Sequence, residues 1–417
     1  MRLLCLSNGH GEDQIALRIL EELRQLPHAP TIEVLPIVGD GGAYRKAQFD
    51  LIGPAQNMPS GGFINLDAGR QLARDIEAGL LKLTIGQIRT VKQWAKASPR
   101  EQSLILSVGD IVPMLFAWCV NRPFAFVGTA KSEYYLRDET NWLQRASWWD
   151  DRLLRWTGCV YLPWERWLMR RQQCVAVFPR DTLTVNSLKQ FAIPAFDVGN
   201  PMMDGIGLIG APLSLTDAPL TIALIPGSRV PEIYDNWGLI LESVKDLGNK
   251  LDRPVRLLAA LVPACERPEL LKPLQDWECV TDTHYRSGSG RHVIDLTLSV
   301  GKFVECIQQS HLAIAMAGTA TEQFVGLGKP VVTLPGRGPQ FVPAFAEAQT
   351  RLLGESVHLV QNPAQVAQEI QMLLAAPLSD WQAIAENGYR RMGRPGAAKR
   401  IANCLMQQFD HLPLEEM

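Results

Sequence analysis

The sequence predicts an α/β protein of two Rossmann-like, doubly wound domains facing a central cleft, and three observations predict it. Short apolar runs bounded by Gly or Pro alternate with longer amphipathic stretches, the pattern of parallel sheets covered by helices. Between Pro201 and Pro219 the chain holds three glycines and three prolines without periodicity, which marks a linker. Each half then begins with a strand, a Gly-containing loop and a helix. Ligands are expected where strand C-termini and helix N-termini converge.

In the first half, strands are expected at Arg2–Leu6, Ile32–Ile37, Leu104–Val108, Phe124–Val127, Val175–Phe178 and Phe196–Val198. Helices are expected at Glu12–Leu26, Asp67–Ala97, Ile111–Val120 and Arg180–Phe191. The second half repeats the alternation, with strands at Leu220–Ile225, Val255–Leu261, Val293–Leu298, Leu312–Met316, Val331–Leu334 and Val357–Val360. Its helices fall near Glu232–Leu247, Lys302–Gln309, Ala320–Leu327, Ala344–Leu353 and Pro363–Leu374. The domains are therefore placed at 1–205 and 206–417, with the last helix able to pack back on the first domain. Arg286-Ser287-Gly288-Ser289-Gly290-Arg291 reads as a flexible loop.

With 417 residues, 47% of them apolar and 20% charged, the chain can bury two cores, which excludes a disordered or fibrous protein. A net charge of -2 gives no general attraction to nucleic acid. The eight cysteines are scattered without a C-x-x-C pair, arguing against a disulfide framework or zinc site. The opening apolar run is too short for a signal peptide, and Ile111 to Val120 is too short to cross a bilayer. A reduced, cytoplasmic protein is expected, one able to sit peripherally on the inner or plasma membrane.

Three loops carry candidate chemistry. Ser7-Asn8-Gly9-His10-Gly11-Glu12-Asp13 lacks the third glycine of a dinucleotide fingerprint and places two acids where a phosphate would be repelled. It reads as a loop for an acceptor hydroxyl, or as a strand–helix turn with acids favouring the helix N-terminus. Ile225-Pro226-Gly227-Ser228-Arg229 supplies close backbone approach and a fixed positive charge, chemistry suited to a diphosphate. Ala317-Gly318-Thr319-Ala320-Thr321-Glu322-Gln323 is a second such turn, in which Thr319 and Glu322 have capping-box spacing. Gln340, in a Gly/Pro-rich loop, offers donors and acceptors to a sugar.

These residues resemble the motifs of lipid-A-disaccharide synthase. The matching segments are Ile225-Pro226-Gly227-Ser228-Arg229 with Glu232-Ile233, Gly318-Thr319-Ala320-Thr321, and Val198-Gly199-Asn200-Pro201 with Asp204. The opening Ser-Asn-Gly-His-Gly-Glu-Asp is shared with the synthase-related proteins of cyanobacteria and plastids. The resemblance implies a GT-B fold of the glycosyltransferase superfamily. It also implies a UDP-sugar donor on the C-terminal domain and an acceptor bound mainly by the N-terminal domain. The synthase motif has Glu two positions after its second Thr; here that position is Gln323, and Glu322 lies one residue earlier.

The expected activity is transfer of a hexose or N-acetylhexosamine from a UDP-sugar to a lipid-linked or membrane-associated acceptor, without metal or cofactor. Gly227, Ser228, Arg229, Gly318, Thr319 and Thr321 would hold the diphosphate, Glu322 or Gln323 the ribose, and Gln340 the sugar. Asp110 or His10 would serve as base, with Glu133 a weaker candidate; Asp110 also reads as a helix N-cap. A UDP-sugar 2-epimerase of the same fold and a non-catalytic nucleotide-sugar or lipid-binding protein are the rivals. Six of the 11 tryptophans (Trp142, Trp148, Trp149, Trp156, Trp164, Trp167) fall within 26 residues among seven arginines of the 137–171 segment. That segment reads as a membrane-docking surface, or as a packing layer whose arginines pair with Glu139, Asp150, Asp151 and Glu165.

Overall fold

The computed structural model describes residues 1–56, 79–143, 155–207, 219–287, 292–338 and 341–410. The chain divides into two compact units: Met1–Asp204 with the segment from Arg394 onward, and Gly205–Gly393.

In the first unit, β1 (Arg2–Ser7), β2 (Thr31–Pro36), β3 (Asp50–Leu51), β4 (Ser103–Gly109), β5 (Phe124–Gly128) and β6 (Cys174–Phe178) form a parallel sheet. The order is β3-β2-β1-β4-β5-β6, and Arg2 of β1 pairs with Thr31 on one side and Ser103 on the other. The connecting helices are α1 (His10–Arg24), α2 (Gly42–Lys46), α3 (Leu80–Lys96), α4 (Ile111–Cys119), α5 (Pro163–Met169) and α6 (Thr182–Lys189). Leu4, Leu6, Ile105 and Phe126 of the sheet share one apolar cluster with Val91 and Trp94 of α3, Met114 of α4 and Leu168 of α5. Each such fully buried side chain contributes about 1.5–3 kcal/mol.

The expected strand Phe196–Val198 is reduced to an isolated bridge between Val177 and Ala195. Pro194, which has no N–H to give, precedes it at the edge of the sheet. Helix α3 covers only the later part of the expected Asp67–Ala97 helix; 57–78 lie outside the described residues. So do 144–154, with Trp148, Trp149, Asp150 and Asp151 of the Trp-rich segment.

The terminal helix Ala397–Asp410 belongs to this first unit and packs against α1. Its N-terminus is held by Asp204, whose carboxylate accepts from the backbone N–H groups of Gly396, Ala397 (3.2 Å) and Ala398 (2.7 Å). Arg400 Nε donates to the Val198 carbonyl at 2.9 Å, and Arg18 Nη1 to that of Pro201 at 2.8 Å. The Val198-Gly199-Asn200-Pro201…Asp204 motif is thus a latch for the last helix.

The second unit holds an eight-stranded sheet ordered β14-β13-β12-β7-β8-β11-β10-β9. The strands are β7 (Leu220–Ile225), β8 (Val255–Leu261), β9 (Glu278–Thr281), β10 (His284–Ser287), β11 (Ile294–Val300), β12 (Leu312–Ala315), β13 (Val331–Thr333) and β14 (Val357–Leu359). Six are parallel, while β9 and β10 add an antiparallel edge. Arg286 and Ser287, expected in a flexible loop, end β10, where Arg286 Nε donates to Asp295 of β11 at 3.0 Å. Residues 288–291 lie outside the described residues. The principal helices of the unit are α7 (Glu232–Val244), α8 (Phe303–Gln309), α9 (Thr319–Gly326), α10 (Pro343–Leu353), α11 (Val366–Ala375) and α12 (Leu378–Met392), with shorter ones at Leu247–Lys250 and Arg267–Leu271. Trp237, Ile240 and Leu241 of α7 enter its core together with Ile222 and Leu224 of β7.

Candidate functional site

In a doubly wound sheet the chain turns back at the strand pair where winding changes direction, leaving a gap between diverging loops. In the second unit that pair is β7 and β12, in register from Leu312 opposite Ile222 to Ala315 opposite Ile225. The loops that follow them are Pro226–Arg229 and Met316–Gly318, so the topology brings together two motifs about 90 residues apart, on the order of half a domain.

Inward-pointing groups occupy the carbonyls of both loops. Asn236 Nδ2 donates to the Pro226 carbonyl at 3.0 Å and lies 3.5 Å from that of Met316. Gln349 Nε2 donates to the carbonyls of Ala317 (2.8 Å) and Gly318 (3.3 Å). By contrast, the backbone N–H groups of Gly227, Ser228, Gly318 and Thr319 have no acceptor among the described residues. These four amides lie on adjacent loops, two of them at the N-terminus of α9, a cradle whose chemistry suits an anion. Gly227 has φ +104, and a Cβ there would stand 3.2 Å from the Met316 carbonyl oxygen, so glycine lets the two loops approach.

Ser228 and Arg229 are exposed beside this cradle. Partial burial lowers the Arg229 pKa, and the neighbouring carboxylate of Glu232 opposes that shift. Glu232 is itself buried, and its Oε1 accepts from Phe341 N at 2.7 Å, tying the later loop to the start of α7. Thr321 is wholly buried and donates its hydroxyl to the Ala317 carbonyl at 2.6 Å, so it shapes the turn instead of facing a ligand. The capping box expected from Thr319 and Glu322 does not form: Gly318 is the N-cap, without a side-chain bond, and Thr319 is the first helical residue. Glu322 is buried and Gln323 half-buried on α9. Gln340 lies outside the described residues.

The corresponding switch point of the first unit lies between β1 and β4. A Cβ on Gly109, whose φ is +127, would stand 2.9 Å from Asn8 Cβ and 3.2 Å from Glu12 Cγ, which shows how closely the two loops meet. Asp110 caps α4, its Oδ1 accepting from Val112 N at 2.8 Å. Burial raises the Asp110 pKa most, and Glu165 raises it further; hydrogen bonds from Val112 and Asn8 and the charge of Lys131 oppose this. Asp110 is therefore both helix cap and a carboxylate with enhanced basicity. His10 opens α1, and its side chain lies outside what the structure describes.

Neighbouring acids are committed elsewhere. Glu12 Oε1 accepts from Thr129 Oγ1 at 3.2 Å, and Asp13 Oδ1 accepts from Ser7 Oγ at 2.6 Å. Glu133, a candidate base from its position, is fully buried: Oε1 accepts from Val160 N (2.8 Å) and Ser187 Oγ (3.0 Å). Arg137 Nε lies 2.9 Å from its Oε2, an ion pair off the hydrogen-bond axis. This is an anchoring role, and the carboxylate has no exposed surface at which to meet a substrate hydroxyl. Asn8, Asn236 and Gln349 escaped sequence reasoning because nothing local distinguishes an amide that braces a distant loop.

No family model matches the chain, and no curated protein matches it. Solved structures do resemble it over nearly its whole length. The calicheamicin glycosyltransferase CalG4 superposes with TM-score 0.58 at 13% identity, covering 99% of each chain. UDP-GlcNAc 2-epimerase from Neisseria meningitidis, bound to UDP-GlcNAc, gives 0.57 at 16% identity, covering 98% of this chain and 100% of the other. MurG from Acinetobacter baumannii gives 0.54 at 15%, covering 97% and 99%. The chain has the GT-B fold, with two Rossmann-like parallel-sheet domains.

Proposed function

We propose that the protein is a GT-B glycosyltransferase that moves a sugar from a UDP-sugar to a lipid-linked or membrane-associated acceptor. The observation that carries this reading is the cradle of four amides, without acceptors among the described residues, at the β7/β12 switch point with Arg229 beside it. Amide dipoles and a guanidinium stabilise the charge that grows on a departing diphosphate, so the reading requires neither metal nor cofactor. Glu322 or Gln323 would recognise the ribose, and Gln340 the donor sugar. Asp110, with its raised pKa, would take the proton from the acceptor hydroxyl as that oxygen attacks the anomeric carbon; His10 is the other candidate. The lipid acceptor and the kinship with lipid-A-disaccharide synthase rest on the sequence motifs, supported by the GT-B fold.

Arg229→Ala tests the donor site by calorimetry with UDP. Loss of a charge-assisted contact of about 1.5–3 kcal/mol lowers affinity by roughly 10- to 150-fold. Unchanged affinity removes the donor site. A second reading, a UDP-sugar 2-epimerase, is favoured by the fold likeness to such an enzyme and by the approach of Glu12 toward the Asp110 loop. It requires turnover of a UDP-sugar by the protein without acceptor, whereas the transferase requires membrane lipid in the same assay.

A further inference from the structure

The first unit contains a cavity of about 520 Å³ lined by Pro163, Arg166, Trp167, Arg170, Arg171 and Phe191, none of them a residue of the β1 or β4 loops. Arg166 is only 8% exposed and lies over the Phe191 ring, 3.8 Å from its centroid. Its Nη2 donates to the Thr157 carbonyl at 2.9 Å, whereas Nε and Nη1 are buried without an acceptor. Arg171 stacks on Trp167 at 3.6 Å, and its Nε is likewise buried and unsatisfied.

Of the four acids expected to neutralise the arginines of this segment, Asp150 and Asp151 lie outside the described residues, and the other two bond to other groups. Glu165 pairs with Lys131 at 2.5 Å and accepts from Leu162 N at 2.8 Å, while Glu139 accepts from the Tyr134 hydroxyl at 2.7 Å. Among the described residues, no carboxylate pairs with Arg166, Arg170 or Arg171. A buried guanidinium with unsatisfied donors is costly unless an anion completes it. The carbonyl end of α5 offsets part of the charge but supplies none of the missing acceptors.

We propose that this cavity is a second binding site, for a phosphate ester. On ligand entry the Arg166 guanidinium turns its buried, unsatisfied donors from the Phe191 face to the phosphate oxygens, and Arg170 and Arg171 close over it from the rim. Trp167 of the cavity wall is 45% exposed and meets Trp118, 36% exposed, edge to face at 5.4 Å, while Trp164, 57% exposed, follows the lining residue Pro163 in the chain. Indoles in that position suit the headgroup boundary of a bilayer, which makes an anionic phospholipid one source of the phosphate and a soluble ester the other.

The test uses the full chain in two arms: calorimetry with glycerol 3-phosphate, and cosedimentation with phosphatidylcholine vesicles with or without phosphatidylglycerol. The R170Q/R171Q double variant and Arg166→Lys, which keeps the charge but loses the planar fork, should each weaken binding about tenfold or more. Arg155→Gln, outside the cavity, should not, and UDP affinity should be unchanged in all three, so a failure here leaves the donor site standing. A phosphatidylglycerol-dependent shift assigns the site to lipid, and glycerol 3-phosphate binding without one assigns it to soluble esters. Absence of binding in both arms, or binding indifferent to the cavity variants, overturns the proposal.

Discussion

Replacing Asp110 by Asn separates two roles that one carboxylate combines. The bond from Val112 N to Asp110 Oδ1, at 2.8 Å, needs only an acceptor oxygen, which an amide retains. Asn and Asp are about equal as N-caps, whereas Ala at such a position costs about 0.5–2 kcal/mol. The charge has a different effect. Because burial raises the folded-state pKa, the folded protein binds the proton more tightly than the unfolded chain. Stability therefore falls as pH rises from the unfolded pKa through the folded one, and at neutral pH the ionised carboxylate is a liability. Asp110→Asn should be at least as stable as the parent at neutral pH, with the difference vanishing in acid; Asp110→Ala should lose the cap. Turnover should fall by about 10²- to 10⁴-fold in both. The parent's kcat/KM should decline as pH drops through the raised pKa, and that limb should disappear from the residual activity of Asp110→Asn. Thermal denaturation across pH, with UDP-sugar turnover on membrane lipid, reads both effects. An Asn variant with nearly full activity would refute the base assignment, and one much less stable than the parent would refute the cap argument.

Two further substitutions probe the site and its support. Gly227→Ala forces a β-carbon to φ +104 and within 3.2 Å of the Met316 carbonyl oxygen. The backbone strain of about 1–3 kcal/mol should displace the cradle and weaken UDP binding measured by calorimetry; unchanged affinity would place the diphosphate elsewhere. Glu133→Ala leaves Arg137 without its partner and strands the donors Val160 N and Ser187 Oγ. Breaking such a buried pair costs about 3–5 kcal/mol, so the denaturant midpoint of the first unit should fall markedly, while a stable but inactive variant would restore Glu133 as a base.

Local pattern alone determined most of the secondary structure and the switch-point loops. Leu220–Ile225 and Val255–Leu261 are strands over the predicted residues, because a strand buried on both faces must be apolar at nearly every position. Gly227 and Gly318 were legible for a related reason: a tight strand-to-helix turn restricts which residues can occupy it. Only tertiary structure decided what each polar group faces. Thr321 and Glu133 carry suitable chemistry at suitable positions, yet the fold turns them inward, while Asn236 and Gln349 reach across from other helices to brace the loops. Arg166, Arg170 and Arg171, in and just after α5, could have met Glu165, but Glu165 is taken by Lys131. Such pairings depend on directions in space between residues distant in the chain, and a one-dimensional pattern of residue types does not contain those directions.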